Sequence, residues 1–149
     1  MNARQQSPAK APQKAADSSA CPCGHANYAG CCGRFHRGEA SPPTAEALMR
    51  SRYSAYVLGL ADWLRQTWHA STCPDDVAPE AGTRWLGLSV KAHAQQDDTH
   101  ATVEFVARYK IGGRAWRLHE RSRFVFESRE QGEAARWLYV DGDMLGEAA

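Results

Sequence analysis

Four of the chain's five cysteines fall within twelve residues, as a C-x-C pair, Cys21 and Cys23, and an adjacent pair, Cys31 and Cys32, with seven residues between the pairs. Four soft sulfur donors in so short a loop suit one tetrahedral ion, and zinc, held by sulfur at ~2.3 Å, is the expected metal. Thiolates crowded together without a cation repel one another. With one, they become the core of a segment too small to have its own. Disulfide pairing is the competing assignment, but adjacent cysteines rarely bond to each other and nothing marks the chain for export. Thiol redox chemistry favours C-x-x-C at a helix start instead. Four cysteines close the coordination shell, and closed shells are structural. His25 and His36 stand near enough to replace a cysteine, yet the four thiols need no help.

At 149 residues with a net charge of +1, the chain is one domain plus appendages, with no global push towards nucleic acid or membrane. No apolar run approaches the ~18 residues of a membrane span, and the first twenty residues lack the apolar block of a secretory signal. A cytoplasmic protein is expected. Residues 1–20 hold too little apolar surface to order themselves and read as a disordered, solubilising tail. A knuckle over 21–38 and a short Pro-containing linker follow.

Thr44 caps a helix with Glu46 in its first turn. Met49, Tyr53, Tyr56, Val57 and Leu60 recur at helical spacing, and Leu64, Thr67 and Trp68 repeat the pattern beyond a bend at Gly59. Pro74 and Pro79 then interrupt helix formation. From Trp85 the period becomes two. Leu86, Leu88, Val90 and Ala92 mark one strand, and Val103, Phe105, Ala107 and Tyr109 the next. A turn at Gly112-Gly113 leads to a third strand with Trp116, Leu118, Phe124 and Phe126 on one face, and Arg136 to Val140 forms a fourth. Helices first and strands afterwards argue for α+β, a bent antiparallel sheet against the helices. Cys73, standing alone, reads as a small buried apolar residue.

The cysteine pairs with Tyr28 between them resemble the SEC-C zinc motif known from the tail of the SecA translocation ATPase. The run Leu48 to Tyr56, with Thr67-Trp68-His69 and His119 to Phe124, resembles the YchJ family. The resemblance implies a zinc knuckle followed by a cone-like nuclear-transport-factor-2-like domain over residues 44–143, and no established reaction. The loop between the cysteine pairs has seven residues where the motif usually has eight, and no second cysteine cluster closes the C-terminus. In SecA the motif contacts the chaperone SecB and lipid headgroups, which implies a protein partner for the knuckle without naming it.

The implied cone commonly encloses a cavity, and the third strand marks where. The two middle positions of its apolar face are Glu120 and Ser122, and a carboxylate there is expensive to desolvate unless it is paired or lines a wet cavity. Arg52 and Tyr53 on the helix and His69 after it are the expected companions. Two assignments stand: a buried Glu120–Arg52 pair fixing helix on sheet, or a site for a small ligand. A small enzyme is the alternative, with acid–base chemistry around Glu120 and His69.

The strand's other face carries Arg117, His119, Arg121 and Arg123, near Arg108, Lys110 and Arg114. Without an aromatic stacking platform this reads as a solvated face interleaved with acids, and nucleic acid is not an expected partner. Gly-rich phosphate loops, Ser-His-Asp order and helix-borne histidine pairs do not occur. A binding or interaction module with structural zinc is the function that results.

Overall fold

The computed structural model describes residues 19–25 and 27–148, so the tail expected over 1–20 lies, except for Ser19 and Ala20, outside the described residues. A 3₁₀ turn (Tyr28–Gly30) leads into α1 (Cys32–His36), α2 (Ala45–Leu58) and α3 (Ala61–Gln66). The strands β1 (Arg84–Asp97), β2 (His100–Ile111), β3 (Arg114–Glu127) and β4 (Arg136–Ala148) follow. They form one four-stranded antiparallel meander in sequence order. The fold is α+β.

The start of α2 is set by Thr44, which is extended and accepts the Ala47 amide at 3.1 Å through Oγ1, with Glu46 in the first turn. It stops at Gly59, whose φ of 75° is the left-handed cap that glycine adopts without a Cβ penalty. Met49, Arg52 and Tyr53 are buried towards the sheet. Leu48, Ser51, Ser54 and Ala55 are also fully buried, because the helix runs between sheet and knuckle. A single apolar stripe therefore describes only half of its packing.

The alternation predicted for β1 breaks at both ends. Trp85 opposes Tyr109 and Gly87 opposes Arg108, so Leu86 is the extra residue of a bulge and is 46% exposed, while Trp85 and Leu88 turn towards the core. A second irregularity, between Val90 and Ala92, leaves Ala92 exposed as well. In β2, Val103, Phe105 and Ala107 are buried as expected. In β3, Glu120, Ser122 and Phe124 are buried, whereas Phe126 is partly exposed and leans on Trp137 with ring centroids 5.4 Å apart.

The fourth strand extends eight residues beyond the Val140 predicted from its apolar pattern. Its polar half is held laterally. Arg123 on β3 donates to Asp141 at 2.6 Å and to Asp143 at 2.8 Å. This guanidinium holds the Asp143 carboxyl below its ordinary value of 3.8. A depressed carboxyl contributes above the unfolded value, so the tie persists above about pH 4 and is lost as pH falls through the depressed value. Arg123→Ala is expected to leave the global melt nearly unchanged, as exposed pairs contribute little. Amide exchange over residues 141–146 should nevertheless become fast. Retained protection there would show that the backbone ladder alone holds the end.

Three further cations of this region also meet acids or rings. His119 lies 2.8 Å and Arg121 3.6 Å from Glu104, and the Arg114 guanidinium covers the Trp116 ring at 4.6 Å.

Candidate metal centre and ligand cavity

The four sulfurs of Cys21, Cys23, Cys31 and Cys32 all lie within 4.8 Å of one another, and Cys23 and Cys31 approach to 3.6 Å. A tetrahedron with metal–sulfur distances of ~2.3 Å places its sulfurs about 3.8 Å apart. The donors therefore fit a single metal ion. Burial and the neighbouring sulfurs push the Cys31 thiol up to about 12. Hydrogen bonds to Cys21 and Cys23, with burial, push Cys32 up as well, while the same contacts pull Cys21 down. A cation would let all of them ionise together.

Neither histidine belongs to this set. His36 Nε2 lies 2.9 Å from the Ser51 carbonyl, which can only accept, so Nε2 carries the proton and Nδ1 takes the Tyr28 hydroxyl hydrogen at 2.6 Å. Burial lowers the His36 pKa and favours this neutral form. His25 is exposed.

The knuckle is fastened to α2 rather than suspended from it. Cys21 Sγ meets Ser54 Oγ at 3.5 Å, Arg50 donates to the Cys23 carbonyl at 3.0 Å, and Trp63 of α3 donates to Ser51 Oγ at 2.9 Å. The serines missed as a packing face are these contact points. Ser51, Ser54 and Ala55, at i, i+3 and i+4, were the available signal, because small residues in register permit close approach.

The other face of α2 lines a cavity of about 270 Å³ between helix and sheet. Arg52, Tyr53, Glu120 and Ser122 all line it; His69 does not. Instead His69 faces outward, with Nε2 3.1 Å from Glu127 and Nδ1 2.7 Å from Ser71 Oγ. The acid–base pair expected of Glu120 and His69 is therefore not assembled. Among the described residues Glu120 and Arg52 form no direct ion pair either. Arg52 Nη1 donates to the Leu64 carbonyl at 2.9 Å and Thr67 Oγ1 at 2.8 Å, and its guanidinium lies 4.8 Å from the Trp68 ring centroid and 4.6 Å from that of Tyr139. Glu120 Oε2 accepts from Ser122 at 2.8 Å and from the Tyr139 hydroxyl at 3.3 Å. Tyr139 thus stands between the two charges, one over its face and the other at its hydroxyl.

Trp68 and Tyr139 escaped the sequence-based site. They meet because the chain after α3 bridges to the sheet edge: the Tyr139 amide donates to the Thr67 carbonyl and the His69 amide to the Tyr139 carbonyl, both at 2.8 Å. Burial pushes the Tyr53 phenol up to about 12, and burial with the Glu120 carboxylate raises Tyr139, so both remain hydroxyl donors at neutral pH.

Gly142 makes room for Glu120. A Cβ there would lie 2.8 Å from the Glu120 carboxyl carbon, so Gly142→Ala must displace the carboxylate from Ser122 and Tyr139. The expected loss is about 1–3 kcal/mol, the usual range for overpacking, read as a lower urea midpoint. An unchanged midpoint with Glu120 in place would show that the sheet yields instead.

The YchJ middle NTF2-like domain matches over residues 44–142. The chain belongs to the YchJ-like UPF0225 family. A UPF0225 protein of Cupriavidus metallidurans is 81% identical over 124 residues, covering 83% of this chain and 88% of its own length. Two solved SEC-C motif containing proteins resemble this family member over most of its length. That of Psychrobacter arcticus superimposes with a TM-score of 0.73 at 29% identity, covering 89% of this chain and 86% of its own. That of Rhodopseudomonas palustris gives 0.70 at 33%, covering 85% and 98%. Among the described residues of this UPF0225 chain, no helix is long and apolar enough to cross a membrane.

Proposed function

We propose that this protein is a small-ligand-binding module whose four cysteines hold a structural zinc ion. One observation carries the binding role. Arg52 and Glu120, 6% and 8% exposed, both line the cavity without touching each other, and on the same wall the Trp68 indole Nε1 is buried with no hydrogen-bond partner among the described residues. Buried polar atoms are normally paired, and atoms left open towards a cavity mark where a guest completes the set.

Zinc is favoured by the donors: four thiolates select zinc or an iron centre, and zinc accepts a tetrahedron imposed by a short loop. The metal's role is internal, because Cys21 Sγ lies against Ser54 of α2 and four thiolates leave no position for substrate. It fixes the back of the helix whose front carries Arg52 and Tyr53.

Two measurements test the reading. Elemental analysis of reduced, purified protein should find one zinc per chain; visible thiolate-to-iron absorbance would replace zinc with iron. Binding is tested by titrating the zinc-loaded chain with a mixed set of small ring compounds while following the indole signals of Trp68 and Trp85. Saturable shifts support the role. Signals unmoved by acids, amines and neutral compounds alike would end it.

A further inference from the structure

Granted that the cavity is a ligand site, its walls specify a chemistry. We propose that it takes a small aromatic carboxylic acid carrying a hydrogen-bond donor at the far end of the ring.

Size comes first. At about 270 Å³ the cavity lies just below the common range of ligand pockets, ~300–1,000 Å³, which admits a single substituted ring and excludes a dinucleotide or a haem. The walls come next. Trp85 packs against Tyr53, Tyr56 and Tyr109 with ring centroids 5.3–5.9 Å apart, and Phe105 and Phe124 line the space with it. A flat π system is the guest such surfaces favour.

The two charged ends then set polarity. Arg52 is satisfied on one side only: Nη1 is bound to Leu64 and Thr67, both ring contacts are neutral, and no carboxylate touches it. Its protein hydrogen bonds run through Nη1, and Nε with Nη2 is the side-on pair of donors that can hold a planar carboxylate through two parallel hydrogen bonds. A buried guanidinium without an anion is costly, so an anionic guest gains there more than a neutral one. At the other end Glu120 Oε1 can only accept while ionised, so it repels a second anion and takes a hydroxyl or amino hydrogen. The Tyr139 ring and its hydroxyl separate the two charges. A para-substituted ring lying alongside Tyr139 presents its own groups in the same order.

The experiment uses the full zinc-loaded chain and calorimetric titration with para-hydroxybenzoate, para-hydroxybenzamide, benzoate and phenyl phosphate, with the Trp68 and Trp85 indole signals locating the site. Para-hydroxybenzoate is expected to bind at least tenfold more tightly than the amide, the scale of a lost charge-assisted contact. It should also bind several-fold more tightly than benzoate, and Glu120→Gln should shrink that second difference while leaving the first. The acid–amide comparison needs no variant and stands even if Glu120→Gln fails to fold. Equal affinity for acid and amide overturns the proposal, because Arg52's charge is then not read. Preference for phenyl phosphate overturns the carboxylate assignment. Shifts caused only by amines or neutral rings overturn the inference and leave the binding role intact, whereas silence from every class removes both.

Discussion

Chelating the metal, or replacing Cys32 with serine, is expected to cost on the order of 5 kcal/mol, a fall of roughly 15 °C in Tm. The magnitude follows from where the sulfurs sit. Cys21, Cys23 and Cys32 are at most 3% exposed and pack with Tyr28 and Leu88 into a cluster separate from the main core. Without a cation that cluster must hold either repelling thiolates or buried thiols with poor partners. Serine at position 32 adds an unmet hydroxyl in the same place. Damage should spread along α2, because Cys21–Ser54, Arg50–Cys23 and His36–Ser51 all anchor that helix. Ligand response in the cavity is therefore expected to fall with the metal although none of the four cysteines lines it. Cys73→Ser is the control, since Cys73 is half-buried and outside the cluster. Thermal melts followed by circular dichroism, with metal content measured in parallel, read the effect. A metal-free chain melting with the native one would show the knuckle to be an ornament on a self-sufficient domain.

The parts legible in the sequence are those whose physics is local. The cysteine cluster is read from neighbours eleven residues apart at most, and Thr44 and Gly59 state the limits of α2 through capping chemistry that needs no tertiary partner. Glu120 and Ser122 announced the cavity because they interrupt an apolar face, and both line it. What escaped depends on partners far along the chain. Ser51 and Ser54 look like a solvated face until the knuckle is placed against them. Leu86 looks inward until a bulge is inserted opposite Arg108. The polar end of β4 has no apolar pattern to read, being held by Arg123 from the next strand. Its place just after the second predicted helix suggests the cavity for His69. The bridge to Tyr139 turns the Trp68 indole inward and sends the imidazole out to Glu127.

Arg52→Ala is the second large effect, and it separates the two roles that helix–sheet geometry gives this residue. The guanidinium caps the Leu64 carbonyl and Thr67 Oγ1 where α3 ends, and lies over the Trp68 and Tyr139 rings. Truncation removes a charged donor from buried acceptors, about 1–3 kcal/mol, and opens a void against two aromatic rings. About 3–5 kcal/mol is expected in total, measured by urea unfolding with metal retained. Thr67→Val should cost less, and the pair should be non-additive because they share one hydrogen bond. Were Arg52 instead a structural partner of Glu120, as its place on the helix first suggests, Glu120→Gln would cost nearly as much and couple strongly to Arg52→Ala. Tyr139 lies between the two charges and no direct contact joins them, so that coupling is expected to be small. A large Arg52–Glu120 coupling energy in the ligand-free chain would mean that the charges serve each other, leaving nothing in the cavity for a guest to satisfy.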